Sequence, residues 1–139
     1  MAAPTRVLCV DDRRDVVESM RLVIDSDEKM ECVGCLDSAD DLASEVKRLR
    51  PDVILLDACM PGTDPFTAMR ELARLCPATR TIVYSGLDDD AFVDQVLRAG
   101  GWGCISKRDE PTEMLRAIRA VIAGRVVLPP NGYQSRHDS

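Results

Sequence analysis

Five short apolar runs alternate with five segments whose apolar residues recur at helical spacing, and this alternation constrains the fold more than any other feature. The runs predict strands at residues 6–10, 30–36, 53–56, 81–84 and 103–106. Each run is too short for a typical helix and contains a β-branched residue. Strands that alternate with helices through short loops form a parallel sheet covered on both faces. The sequence therefore predicts an α/β fold with a doubly wound, five-stranded parallel sheet.

Several helix ends carry local signals. Residues 38–41 (Ser-Ala-Asp-Asp) predict a cap for the second helix, and Asp64 and Pro65 open the third in the favoured order of capping residue then proline. Three aspartates at 88–90 place negative charge at the start of the fourth helix, and the fifth is expected at about 111–123, closed by Gly124. The stripes expected to face the sheet comprise Val16, Met20, Val23, Ile24, Leu42, Val46, Leu49, Phe66, Met69, Leu72, Ala73, Phe92, Val93, Val96, Leu97, Met114, Leu115, Ile118, Val121 and Ile122.

Length and charge limit the classes of protein that remain. A chain of 139 residues is one domain, which we place at residues 1–128, with residues 129–139 as a linker or disordered tail. The net charge of −6 argues against a nucleic-acid surface, which needs clustered lysine and arginine. No apolar stretch reaches the length of a membrane span, and the N-terminus lacks the apolar core of a signal peptide. We expect a cytoplasmic domain that contacts neither membrane nor DNA directly.

The six cysteines are expected to be reduced thiols, because most of them lie in or beside apolar runs. Cys32 and Cys35 have the spacing of a redox or metal pair. They fall on the second predicted strand, however, where residues three apart point to opposite faces. The only histidine, His137, lies in the tail. We therefore expect no metal or redox site at these two thiols.

Polar residues follow four of the five predicted strands. Asp11 and Asp12 follow the first, Asp57 the third, Ser85 the fourth and Lys107 the fifth. Only the second strand ends without a reactive group, as the edge strand of a sheet with order 2-1-3-4-5 would. Because ligands bind outside the carboxyl ends of the strands in such sheets, these five side chains are expected to converge.

Three carboxylates gathered at one point need a cation or protons. Two like charges about 4 Å apart cost about 4 kcal/mol at an effective dielectric constant of about 20. Mg²⁺ suits such a site because it prefers oxygen ligands and is typically held by one or two carboxylates plus phosphate oxygens. One carboxylate can then act as a nucleophile and form an aspartyl phosphate. Lys107 would neutralise charge on the phosphoryl oxygens, and Ser85 would hydrogen-bond to them.

These residues resemble the motif of the receiver domain of bacterial two-component response regulators. The matching residues are Asp11, Asp12, Asp57 with Met60 and Pro61 after it, Ser85 and Lys107. The resemblance covers residues 6–124 and implies the flavodoxin-like receiver fold. It also implies a phosphoprotein that takes its phosphoryl group from a sensor histidine kinase, a phosphotransfer protein or a small donor such as acetyl phosphate. Such a domain is a signal-transduction switch rather than an enzyme, although it catalyses its own phosphorylation and dephosphorylation.

The resemblance further implies a role for each site residue. Asp57 is the phosphoacceptor, Ser85 the switch hydroxyl and Lys107 the phosphate-binding amine. The Mg²⁺ ligands are Asp12 and Asp57 directly, Asp11 through water, and the backbone carbonyl of Cys59.

The end of the chain is similar to one branch of the family. Residues 118–130 resemble the last helix and linker of LuxR- or NarL-type regulators, in which the receiver precedes a helix-turn-helix domain. The resemblance implies transcription regulation through an output domain that is absent here, with DNA contacted only by that domain. A homodimer on activation is left open.

Two positions depart from the family pattern. Cys104 replaces the switch aromatic usually found three residues before the lysine, and Asp64-Pro65 replaces the usual Asp-Gly. Trp102 could report on the same surface, although an aromatic beside the last strand is more often a packing residue. We therefore expect the signal to leave through the loop and helix after Ser85, where Gly86 gives backbone freedom.

Two other functions compete with the receiver. A phosphatase-like hydrolase would also use Asp57 as a nucleophile, but its second acid, two residues on, would fall at Cys59. A receiver-like binding module that is never phosphorylated is favoured only if an acidic-site residue is missing, and none is.

Overall fold

The structure is a computed structural model that describes residues 3–86, 89–107 and 109–128. The elements are β1 (Thr5–Val10), α1 (Arg14–Asp25), β2 (Met30–Leu36), α2 (Leu42–Leu49), β3 (Val53–Asp57), α3 (Pro65–Leu75), β4 (Arg80–Ser85), α4 (Asp90–Arg98), β5 (Gly103–Ser106) and α5 (Pro111–Ile122). All strand pairs are parallel, and the sheet order β2-β1-β3-β4-β5 confirms the predicted α/β fold and strand order. Within the described residues, no helix is both long and apolar enough to cross a bilayer.

One apolar layer lies on each face of the sheet. Helices α2, α3 and α4 cover one face, and α1 and α5 cover the other. All five residues of β3 are buried, because this strand lies at the centre of both layers. The predicted stripes are buried or half-buried except at Ala73 and Ile122, which are exposed. Each of these follows a buried residue by one position, a rotation of about 100° around the helix.

The predicted cap of α3 forms, and one of the aspartates predicted at the start of α4 acts as its cap. The carboxylate of Asp64 accepts the N–H of Thr67 at 3.1 Å, and that of Asp89 accepts the N–H of Phe92 at 2.8 Å. The predicted cap of α2 is wrong, since the side chain of Asp41 makes no capping hydrogen bond. Its φ of 58° is left-handed, whereas a capping residue needs an extended backbone to reach the first N–H groups.

A bulge in β2 contradicts the expectation that Cys32 and Cys35 point to opposite faces. Val7 pairs with Cys32 but Leu8 pairs with Gly34, so one extra residue is inserted between them. One inserted residue reverses the alternation of side chains beyond it. The two cysteines consequently share the face that packs against α1, and their Sγ atoms lie 3.9 Å apart.

The chain after α5 returns to the sheet. Gly124 ends the helix with a φ of 86°, which glycine adopts without steric penalty. The N–H of Val127 then donates to the carbonyl of Trp102, and its carbonyl accepts the N–H of Cys104, both at 3.0 Å. The predicted linker, residues 129–139, lies outside the described residues.

Candidate functional site

The ends of the strands bring the predicted site residues to one edge of the sheet. Asp11 follows β1, Asp57 and Ser85 are the last residues of β3 and β4, and Lys107 follows β5 directly. One carboxylate oxygen from each of Asp11, Asp12 and Asp57 lies within 4.8 Å of the other two. These three oxygens form an acidic cluster of the kind that holds a divalent cation.

Asp57 lies at the centre of the site and is 1% exposed. Its Oδ1 accepts a hydrogen bond from the Lys107 Nζ at 2.8 Å and another from the Cys59 backbone N–H at 2.9 Å. Its Oδ2 is buried and has no hydrogen-bond partner, and it is the one such side-chain oxygen or nitrogen in the described part of the chain. A buried carboxylate oxygen without a partner is costly, so this atom is suited to a metal ion or to covalent chemistry.

Asp11 is also buried, while Asp12 is exposed. The Oδ1 of Asp11 accepts the N–H of Arg13 at 2.8 Å, and its Oδ2 accepts the hydroxyl of Tyr84. Burial, together with this hydrogen bond to a carboxylate, raises the pKa of Tyr84 well above its usual range, so that the phenol stays a donor. Both oxygens of Asp11 are thereby oriented by the protein.

Tyr84 is a site residue that sequence reasoning missed. It lies beside Asp57 in the β3–β4 register, and its ring centroid is 5.6 Å from the Lys107 Nζ. A signal was available, because a tyrosine near the end of a buried strand carries a hydroxyl that needs a partner. Choosing Asp11 as that partner required the strand order and register.

Ser85 is the last residue of β4, directly after Tyr84, and is buried. Its backbone carbonyl accepts the N–H of Lys107 at 3.0 Å, which ties the end of β4 to the residue after β5. Gly86 is exposed, and no atom would lie within 4 Å of a Cβ placed on it. Residues 87 and 88, the middle of the loop expected to carry the signal, lie outside the described residues.

The position of the missing switch aromatic is filled by a buried thiol. Cys104 pairs with Val83 and packs in the same apolar layer as Phe92 of α4. Burial raises the pKa of the Cys104 thiol to about 12, so it behaves as a small apolar group. Trp102 lies at the opposite end of β5, where the Arg80 guanidinium sits 4.2 Å from its ring centroid. Its role is therefore packing.

A sheet of this order with an acidic cluster at its carboxyl edge defines a receiver-type α/β domain. In agreement, the family model described as the response regulator receiver domain matches residues 7–119. The chain belongs to this family of two-component signalling domains.

Known relatives place the chain among regulators that are longer than it is. It is 33% identical over 125 residues to the response regulator GacA of Pseudomonas viridiflava, covering 90% of this chain and 58% of that protein. It is 31% identical over 122 residues to the transcriptional regulatory protein YxjL of Bacillus subtilis, covering 88% and 56%. A crystal structure of a LuxR-family two-component response regulator from Aurantimonas sp. SI85-9A1 superposes with a TM-score of 0.87 at 26% identity, covering 93% and 92%. The chain thus spans little more than half the length of GacA and of YxjL.

Proposed function

We propose that Asp57 is the phosphoacceptor of a signalling switch and that a sensor histidine kinase or phosphotransfer protein is the donor. The observation that carries the proposal is the Oδ2 of Asp57, which is buried at the acidic edge with no partner while Oδ1 is held by Lys107 and Cys59. One oxygen is thus restrained and the other is left to react. Membership of the receiver family supports this assignment.

The acidic cluster fits Mg²⁺ as the cofactor. The proposed ligands are Asp11, Asp12, Asp57 and the backbone carbonyl of Cys59, all oxygen donors of the kind that Mg²⁺ prefers. When bound, the ion would neutralise the carboxylates and the oxygens of the incoming phosphoryl group. Two observations support this cofactor. The three carboxylates each place an oxygen within 4.8 Å of the other two, and the Oδ2 of Asp57 has no hydrogen-bond partner among the described residues.

The transfer itself needs little besides positioning and charge. The Oδ2 of Asp57 attacks phosphorus, the bond to the donor nitrogen breaks, and that nitrogen keeps the electron pair. Lys107 is already 2.8 Å from the attacking carboxylate, so its ammonium would offset the charge on the phosphoryl oxygens. Ser85 would hydrogen-bond to the same oxygens and so report that the group is present.

The site supports a switch more than an enzyme that turns over substrate. A hydrolase of this type would place its second acid two residues after the nucleophile, where Cys59 has only a backbone N–H directed at Asp57. A binding module without phosphorylation would leave the unpartnered oxygen of Asp57 unexplained.

We further propose that the switch acts in the cytoplasm and controls an output domain or partner in transcription. The chain spans 58% of GacA and 56% of YxjL, which leaves room in such proteins for a second domain. DNA would be contacted by that domain alone, residues 129–139 would connect to it, and a homodimer on activation is one form the output could take.

Intact mass after incubation with acetyl phosphate tests the proposal. With Mg²⁺ we expect one phosphoryl adduct, and none in Asp57→Asn, because the amide keeps the volume but is not a nucleophile. Release of phosphate without an adduct would favour the hydrolase. Neither adduct nor release would favour the binding module, and full labelling of Asp57→Asn would remove Asp57 as the acceptor.

A further inference from the structure

Three thiols cluster on the face of the sheet that packs against α1. The Sγ of Cys32 lies 3.9 Å from that of Cys35 and 4.0 Å from that of Cys9. Cys9 is fully buried, whereas Cys32 and Cys35 are half-buried. The pair exists only because the extra residue in β2 turns both of its cysteines to one face.

The surroundings of the pair favour thiolates, which are the reactive form of cysteine. The hydrogen bond from the Cys9 thiol lowers the pKa of Cys32 to about 6, although burial opposes it. The same neighbour lowers the pKa of Cys35, helped by a guanidinium, since the Nη2 of Arg21 lies 3.4 Å from the Cys35 Sγ. The carboxylate of Asp25 accepts a hydrogen bond from the backbone N–H of Cys32 at 2.9 Å, which connects α1 to β2.

Cys35 is open to solvent near the acidic cluster, and Cys32 beside it is also half-buried. Cys35 lines a surface depression together with Asp11, Asp12 and Asp37. A small oxidant or reductant can therefore approach Cys35 and Cys32, but not the fully buried Cys9. A metal site is less well supported, because among the described residues only the three aspartates bring three ligating groups within 4.8 Å of one another.

We propose that Cys32 and Cys35 are a redox modification site, forming a reversible disulfide when a hydroperoxide oxidises them. The Cys32 thiolate attacks one oxygen of hydrogen peroxide, the O–O bond breaks, and hydroxide leaves, so that Cys32 becomes a sulfenic acid. The Cys35 thiolate then attacks the Cys32 sulfur, the S–O bond breaks, and a second hydroxide leaves. Two thiols lose two electrons and two protons, and the peroxide becomes two waters. A dithiol reductant reverses the reaction.

Closing the disulfide requires only a small approach of the two sulfurs at the edge of the sheet. A disulfide bond is about 2.05 Å long, so the two Sγ atoms must approach by about 2 Å. β2 is the edge strand of the sheet and is paired only with β1, and Gly34 between the cysteines has no side chain to reposition. The site does not depend on the phosphoacceptor role of Asp57.

Peptide mapping of the intact, fully reduced chain tests the proposal. The chain is treated with hydrogen peroxide, alkylated with iodoacetamide and digested with trypsin. Cleavage after Lys29 and Lys47 puts Cys32 and Cys35 in one peptide, whereas Cys9 lies in the peptide that ends at Arg13. We expect peptide 30–47 to lose both alkylations and to lack two hydrogens, and dithiothreitol to restore it.

Variants separate this disulfide from other oxidation products. Cys32→Ser and Cys35→Ser should each abolish the two-hydrogen loss, and Cys76→Ser, at a half-buried thiol elsewhere, should retain it. Two alkylations remaining on peptide 30–47 of the wild-type chain after oxidation would overturn the proposal. A peptide carrying Cys9 linked to peptide 30–47 would also overturn it, as would stoichiometric zinc that protects both thiols until a chelator removes it. These readouts use the wild-type chain and do not require any variant to fold.

Discussion

The hydroxyl of Tyr84 donates a hydrogen bond to Asp11, joining the end of β4 to the residue after β1 beneath the acidic cluster. Both residues are buried, and the strands β1 and β4 that position them are separated by β3, which carries Asp57. Among the described residues, the Arg13 guanidinium lies 3.7 Å from the Oδ1 of Asp11, and the Tyr84 hydroxyl satisfies the other oxygen, Oδ2. Tyr84 is therefore expected to stabilise the cluster when no cation is bound.

Tyr84→Phe removes this donor and keeps the ring. The buried Asp11 oxygen then lacks a partner, so we expect the free energy of unfolding in a chelator to fall by roughly 1–3 kcal/mol. Mg²⁺ should recover much of this loss, because a cation can satisfy the same carboxylate. Urea unfolding of both proteins with and without Mg²⁺ measures the effect. Equal stability of the two proteins in the chelator would show that the hydrogen bond contributes little.

Asp12→Ala removes a proposed Mg²⁺ ligand that is exposed, so the fold should be unchanged. We expect Mg²⁺ affinity to fall by roughly tenfold or more. Removing a residue that only hydrogen-bonds to a metal ligand already lowers metal affinity by about that factor. Labelling by acetyl phosphate should slow most at low Mg²⁺ and recover as Mg²⁺ is raised. Asp15→Ala, at an exposed acid in the first turn of α1, is the matched control. Labelling of the wild-type chain that does not depend on Mg²⁺ would exclude the metal role.

Lys107→Ala removes the ammonium bonded to Oδ1 of Asp57 but leaves Oδ2 in place. Phosphorylation should therefore persist at a reduced rate, whereas the conformational response should be blunted, because the amine senses the phosphoryl group and does not form the bond. Amide exchange before and after labelling measures that response. A variant that is labelled and responds like the wild-type chain would contradict the sensing role.

The readout is expected to run through the segment after Ser85, because Cys104 is too small to act as the family's switch aromatic. With a phosphoryl mimic, changes in amide protection should concentrate in residues 85–98. Cys104→Tyr must place a larger side chain in the layer that holds Phe92, so it should alter this response without altering Mg²⁺ affinity. Cys104→Val, of similar volume, is the control. Changes spread evenly over β5, or confined to it, would count against this route.

The alkylation rate of Cys32 should depend on pH in a way set by its neighbours. The titratable and charged groups facing it are Cys9 of β1, Cys35 of β2, and Arg21 and Asp25 of α1. Because its pKa is lowered to about 6, the thiolate should predominate above that pH, and the rate should rise through pH 6 and level off. In the urea-unfolded chain the same rise should lie near about pH 8.5. Arg21→Gln should raise the midpoint pH of the folded chain, because the guanidinium helps to lower the pKa of Cys32. Identical pH profiles for the folded and unfolded chain would show that the fold does not activate this thiol.

The strand and helix pattern and the residues at the strand ends could be predicted from the sequence alone. These follow from local properties, since hydrophobic periodicity, helix breakers and a polar residue after an apolar run are all visible within a few positions. Asp57 and Lys107 could be expected to converge because parallel strands bring their carboxyl ends to one edge of a sheet.

Which side chains contact one another at the site depends on the three-dimensional packing of the elements. The shared face of Cys32 and Cys35 depends on a register shift between β1 and β2, and the partner of Tyr84 depends on two strands that do not touch. The same holds for the unpartnered Oδ2 of Asp57, since burial and hydrogen bonding are set by atoms from several elements at once. Strand register is an energetic compromise among packing contacts far apart in the chain, so no local pattern encodes a one-residue shift that reverses the facing of side chains.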